Sequence, residues 1–104
     1  MHRQTELTEI PMSVKRRVWE RDDHCCILCG RNYTASPNAH FIPRSKGGLG
    51  VEQNIVTLCL KCHDRFDNTP TRIEHMAIED RIRGYLKWKY PNWDEATLTY
   101  KKGM

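Results

Sequence analysis

Cysteines pair twice at one spacing in this chain, Cys26-x2-Cys29 and Cys59-x2-Cys62, with 29 residues between the pairs. Two intervening residues bring both thiolates to one metal ion, and two such pairs close a four-sulfur tetrahedral shell. No position is left for water, so the expected ion is a structural zinc whose binding free energy becomes folding free energy. Free buried thiols would not account for two pairs with identical spacing. Cys25 is the spare, able to replace Cys26 only at a less usual x3 spacing. A second candidate site starts immediately after the second pair. His63 and Asp67 lie four residues apart, on one helical face, where an imidazole and a carboxylate can share a hard or borderline divalent cation. The same pair equally fits an exposed salt link. Between the cysteine pairs lie His40, the Gly47–Gly48 pair and Asn54.

These groups need elements to hold them. Pro11 and Ser13 mark the start of a helix running to about Asp22, with Ser13 as N-cap. Val14 and Val18 form its apolar face, and Lys15, Arg16 and Arg21 face out, either solvated or against phosphate. Asp22–His24 turns into the first cysteine pair, and Gly30 suits a tight metal knuckle. Asn38–Ile42 and Ile55–Leu58 read as two strands enclosing a glycine-rich loop, Pro43–Gly50. A short helix follows the second pair through about Asp67, and Asn68–Thr69–Pro70 ends it. A longer helix covers about Ile73–Tyr90, with Ile78, Ile82 and Tyr85 as its buried stripe and a basic second half that suits the negative end of the helix dipole. Pro91 stops it. Trp93, Leu98 and Tyr100 suggest that part of the tail packs back, and Trp19, Trp88 and Trp93 read as packing residues rather than base-stacking ones.

Composition sets the bounds. With 104 residues and 38% hydrophobic residues, the chain supports one small domain with a thin core, of the kind that needs a metal or disulfide staple. Five cysteines argue against a complete disulfide framework. The polar stretch 1–11 is unlike a signal peptide and reads as a flexible lead-in, and no apolar run approaches a membrane span. A reducing cytoplasm is therefore the expected compartment, where cysteine pairs serve as metal ligands. A net charge of +4 permits binding to a polyanion without demanding it.

The order of motifs is more specific than any one of them. His40–Phe41–Ile42–Pro43–Arg44–Ser45–Lys46–Gly47–Gly48, then Asn54–Ile55–Val56–Thr57–Leu58–Cys59, then Cys62–His63 closely resemble the HNH endonuclease family, with His40, Asn54 and His63 as its three letters. The resemblance spans about residues 14–67, and the flanks resemble small HNH proteins of bacteriophages and bacteria. It implies an α+β fold: a zinc-stabilised ββα-metal (His-Me finger) domain over 12–70, with the helix and tail of 71–104 packed on the same domain. It implies a DNA phosphodiesterase of low sequence specificity. His40 would be the general base, and Asn54 would hold the loop backbone that aims it. His63 and Asp67 would carry one divalent ion (Mg2+, Mn2+, Ni2+ or Zn2+), and Arg44 and Lys46 would meet phosphates. Many family members carry Asp or His just before the base as a further ligand, whereas this chain has Ala39. Three readings follow: a cation completed by water and DNA phosphate, His40 itself as a ligand, or weak catalysis. For phage members, the family-level expectation is a role in genome packaging beside the terminase. The competing function is a non-catalytic zinc module that binds DNA or a protein, kept open by Ala39.

Overall fold

In a computed structural model, residues 3–100 are described, with side chains from Glu6 onward; expectations for positions 1, 2 and 101–104 lie outside that range. The elements run α1 (Arg3–Thr8), α2 (Met12–Arg21), β1 (Ser36–His40), β2 (Ile55–Leu58), α3 (Leu60–Asn68) and α4 (Arg72–Lys89), with short 3-10 turns at Arg44–Lys46, Glu52–Asn54 and Glu95–Thr97. The fold is small α+β: β1 and β2 form a two-stranded antiparallel sheet, and α3 follows directly from β2. No helix among the described residues is long and apolar enough to cross a membrane.

Several boundaries differ from those read in the sequence. The lead-in expected to be flexible carries α1, and its last residue, Thr8, is buried. Ser13 does not cap α2; Pro11 occupies the N-cap position without any side-chain cap bond. Proline suits that end because the first turn of a helix has no use for its missing N–H. β1 begins at Ser36 and stops at His40, two residues earlier at each end than expected. Its pairing shifts by one residue between Ser36 and Ala39, around Pro37, as a bulge allows for a residue that cannot donate to the ladder. At the other end, the Ile42 N–H goes to Asn54 Oδ1 at 2.9 Å instead of to a strand partner.

One apolar cluster joins the sheet to both later helices. Ala39, Phe41, Val56 and Leu58 pack with Phe66 of α3, with Ile82 and Leu86 of α4 and with Leu98 of the tail. Of the expected α4 stripe, Ile82 is fully buried while Ile78 and Tyr85 pack at its margin, and Leu86 is the member that was not foreseen. Val14 and Val18 of α2 form a smaller cluster with Ile55. The tail returns against the glycine loop through Leu49 N–H to Leu98 O (2.8 Å) and Tyr100 N–H to Gly47 O (2.7 Å). Trp93 packs edge-on against Phe41, but Trp88 is 73% exposed beneath Lys89 and is not a packing residue.

Arg21 is the largest correction. It was expected on the solvent face, yet its side chain is only 11% exposed. Its guanidinium donates to both carboxylate oxygens of Asp22 (2.7 and 3.0 Å), to the carbonyls of Ile55 (2.7 Å) and Glu52 (2.8 Å), and to the Tyr90 hydroxyl (3.0 Å). Asp22 also accepts from Tyr85 Oη at 2.5 Å and from the Thr57 N–H at 2.9 Å. Together with the Ile27 N–H, which donates to Thr57 O at 3.0 Å, these groups cover the side of β2 that β1 leaves open. Burying the ion pair costs desolvation, and the full set of bonds offsets it. The Tyr85→Phe variant, which removes one donor to a buried carboxylate, should lose about 2 kcal/mol in denaturant melts. An unchanged midpoint would show that this bond carries no weight.

Candidate active site and metal centre

The four-cysteine centre is built by two local turns. Cys26 and Cys29 lie on a knuckle where Gly30 adopts φ +76°, in the left-handed region that suits glycine, and its N–H donates to Cys26 O at 2.8 Å. Cys59 follows β2 directly and is the N-cap of α3, its Sγ accepting the Cys62 N–H at 3.4 Å. The four Sγ atoms lie within 4.8 Å of one another, and Cys29 Sγ and Cys59 Sγ are 3.6 Å apart. A tetrahedral shell with Zn–S bonds of about 2.3 Å places its sulfurs roughly 3.8 Å apart, so the residues fit zinc. Burial raises both the Cys59 and the Cys62 thiols; the Cys62 N–H and the thiols donating to Cys59 hold it below its usual value, whereas the bonds that Cys62 donates leave it raised, as expected of sulfurs sharing protons around one centre. Cys25 is outside the cluster.

A cleft of about 470 Å3 is lined by His40, Arg44, Lys46, His63 and Asp67, together with His75 and Glu79 of α4. β1 delivers His40 to it. Alternation along the strand places neighbouring side chains on opposite faces, so Ala39 is buried in the apolar cluster while His40 is half-exposed. A carboxylate at position 39 would have to enter that cluster. α3 delivers His63 and Asp67, whose Nε2 and Oδ2 atoms approach to 3.3 Å. These two groups offer a cation one nitrogen and one carboxylate and leave its remaining positions open. His40 Nε2 lies 2.8 Å from Thr8 O. Burial lowers the His40 pKa from 6.5, and the charges of Arg44 and His63 lower it further, while the bond to Thr8 opposes them.

Asn54 is fully buried and faces no solvent. Its Oδ1 accepts the Ile42 N–H at 2.9 Å, and its Nδ2 donates to Ile42 O (3.2 Å) and Leu49 O (2.9 Å), tying the end of β1 to the far side of the glycine loop. The Phe41 N–H donates to Asn54 O at 2.7 Å, so backbone and side chain grip the two residues after His40. Arg44 and Lys46 are exposed on the rim, and Arg44 Nε donates to Thr8 Oγ1 at 3.3 Å.

His75 and Glu79 were not foreseen at the cleft. Their i,i+4 spacing on α4 was visible, but nothing in the sequence showed that α4 folds back against α3. His75 stacks on Phe66 at 5.1 Å and its Nδ1 donates to Phe66 O at 2.9 Å. The Glu79 carboxylate lies between two partners, 3.9 Å from His75 Nε2 and 3.5 Å from Arg83. A larger cavity of about 680 Å3, lined by Arg16, Arg17, Glu52 and Lys89, holds no imidazole or thiol and offers no comparable chemistry.

Residues 26–77, half of the chain, match the family model described as HNH endonuclease. The chain is 28% identical over 60 residues to "Anaredoxin" of Nostoc sp. (strain PCC 7120 / SAG 25.82 / UTEX 2576), an alignment covering 58% of this chain and 79% of that protein. No solved structure matches.

Proposed function

The chain belongs to the HNH endonuclease family, and on that premise we propose that it is a metal-dependent endonuclease hydrolysing DNA phosphodiester bonds with little sequence preference. The observation that carries the reading is that one cleft gathers a half-buried imidazole with a lowered pKa, a His–Asp pair suited to a cation, and two basic side chains at its rim. His40 takes the proton from the attacking water, being neutral at pH 7. Asn54, through its bonds to Ile42 and Leu49, holds the backbone from which His40 projects. His63 and Asp67 would hold a divalent ion, which would supply electrostatic stabilisation of charge on the phosphate and the leaving 3′ oxygen. With Ala39 buried in the core, the rest of that ion's shell would be left to water and substrate phosphate, and the ion would bind weakly without DNA. Arg44 and Lys46 hold the phosphates flanking the cut. The cysteine centre is structural, and for members of this kind encoded by phages a place beside the terminase is the expected setting.

The second reading is a zinc module that binds DNA or protein without cutting, and Ala39 is the feature that favours it. Supercoiled plasmid incubated with Mg2+, Mn2+, Ni2+ or Zn2+ separates the two. Metal-dependent nicking by wild type, lost on adding chelator in excess of the weakly held ion and lost in His63→Ala, is the expected result. Tight DNA retention with no cleavage in any of the four metals would favour the module.

A further inference from the structure

Short helices end with carbonyls that have no intrahelical partner. At the end of α1 those of Leu7 and Thr8 find partners far along the chain: Leu7 O accepts the Gly50 N–H at 3.0 Å, and Thr8 O lies 2.8 Å from His40 Nε2. A carbonyl oxygen can only accept, so Nε2 must carry the proton and the lone pair must reside on Nδ1. Thr8 is 2% exposed, and its hydroxyl accepts from Arg44, so the contact is enclosed. Gly50 makes the approach possible. A Cβ there would lie 1.8 Å from Glu9 O, 2.5 Å from Glu9 C and 3.1 Å from Ile10 Cα, all backbone atoms that a side-chain rotation cannot clear.

We infer that the amino-terminal segment is a working part of the active site: the Thr8 carbonyl fixes the ring of His40 with Nδ1 turned to the water, and Gly50 is the positioning residue that seats the segment. This rests on the nuclease reading for its kinetic consequence but not for its structural one. Neither the family match, which starts at residue 26, nor the motifs include residues 7–9. The segment thereby contributes an aiming group from outside the motif region. Any movement of α1 away from the glycine loop frees the ring to turn.

The test pairs two readouts on full-length protein. In wild type, 15N-resolved NMR should show the His40 Nε2–H as a proton protected from solvent exchange. In Gly50→Ala, with zinc content and the dispersion of core amides unchanged, exchange of that proton should quicken at least tenfold. In the plasmid assay kcat should fall about tenfold with KM within twofold, since the rim contacts to DNA remain. A His40 protonated on Nδ1 in wild type overturns the inference, and so does protection or kcat that Gly50→Ala leaves unchanged or raises. Should Gly50→Ala fail to fold, the wild-type spectrum alone still decides which nitrogen Thr8 holds. Protection that behaves as described in a protein that cuts nothing supports the seating of His40 and sinks the nuclease reading.

Discussion

Replacing Cys59 by serine should abolish the folded domain. Cys59 is 1% exposed, follows β2 directly, caps α3 and supplies one of four sulfurs around one centre. A serine hydroxyl is not ionised at neutral pH and cannot replace the thiolate. Structural zinc in small domains contributes roughly 10 kcal/mol or more, comparable with the whole stability of a typical domain, about 5–15 kcal/mol. The variant should therefore lose its zinc, its cooperative thermal transition and its dispersed amide resonances together. Excess strong chelator should do the same to wild type. Cys25→Ser is the control, because Cys25 lies outside the cluster, and it should melt as wild type does. A Cys59→Ser protein that melts like wild type would remove the zinc from the account of stability.

The second large effect is on chemistry. His40→Ala should lower metal-dependent cleavage by roughly 10²–10⁴-fold, the usual contribution of a positioned base, while leaving DNA retention nearly unchanged. The fold should survive, since the His40 ring is at the cleft and the neighbouring Ala39 and Phe41 supply the core contacts. The pH profile gives a sharper check. Only the neutral imidazole accepts a proton. Burial, with Arg44 and His63, lowers its pKa below 6.5. The acid limb of kcat/KM should thus have its midpoint below 6.5: activity persists as pH falls through that value and is lost only on passing the lower, folded-state pKa. A cation bound at His63 pushes in the same direction. A midpoint above 6.5, or a His40→Ala enzyme as active as wild type, would assign the proton transfer elsewhere.

Some of this was legible in the chain because local rules govern it. The cysteine spacing, β2 and the body of α3 and α4 follow from knuckle geometry and hydrophobic period, and the adjacency of His63 and Asp67 follows from four-residue helical spacing. The errors arose where a side chain replaced backbone. Phe41 and Ile42 look like strand, but the Asn54 amide takes the Ile42 backbone groups and ends β1 at His40. Arg21 on a helix with other basic residues looks like surface, and only tertiary structure shows Asp22, Tyr90 and two carbonyls waiting for it. The polar composition of residues 3–8 gave no amphipathic stripe from which α1, or its contact with His40, could be read. The meeting of β1, α3 and α4 at one cleft depends on long-range packing that no local pattern encodes.

The treatment of β2 bears on how copies of this molecule can meet. Because Arg21 occupies the Ile55 carbonyl, and Asp22 and Ile27 occupy the Thr57 amide and carbonyl, three of the peptide groups along that rim are already taken when another chain passes. Strand-wise polymerisation, the hazard of so small a sheet, would have to displace those groups to pair there. Two molecules cooperating on a duplex would therefore not be joined by simple strand addition along this rim.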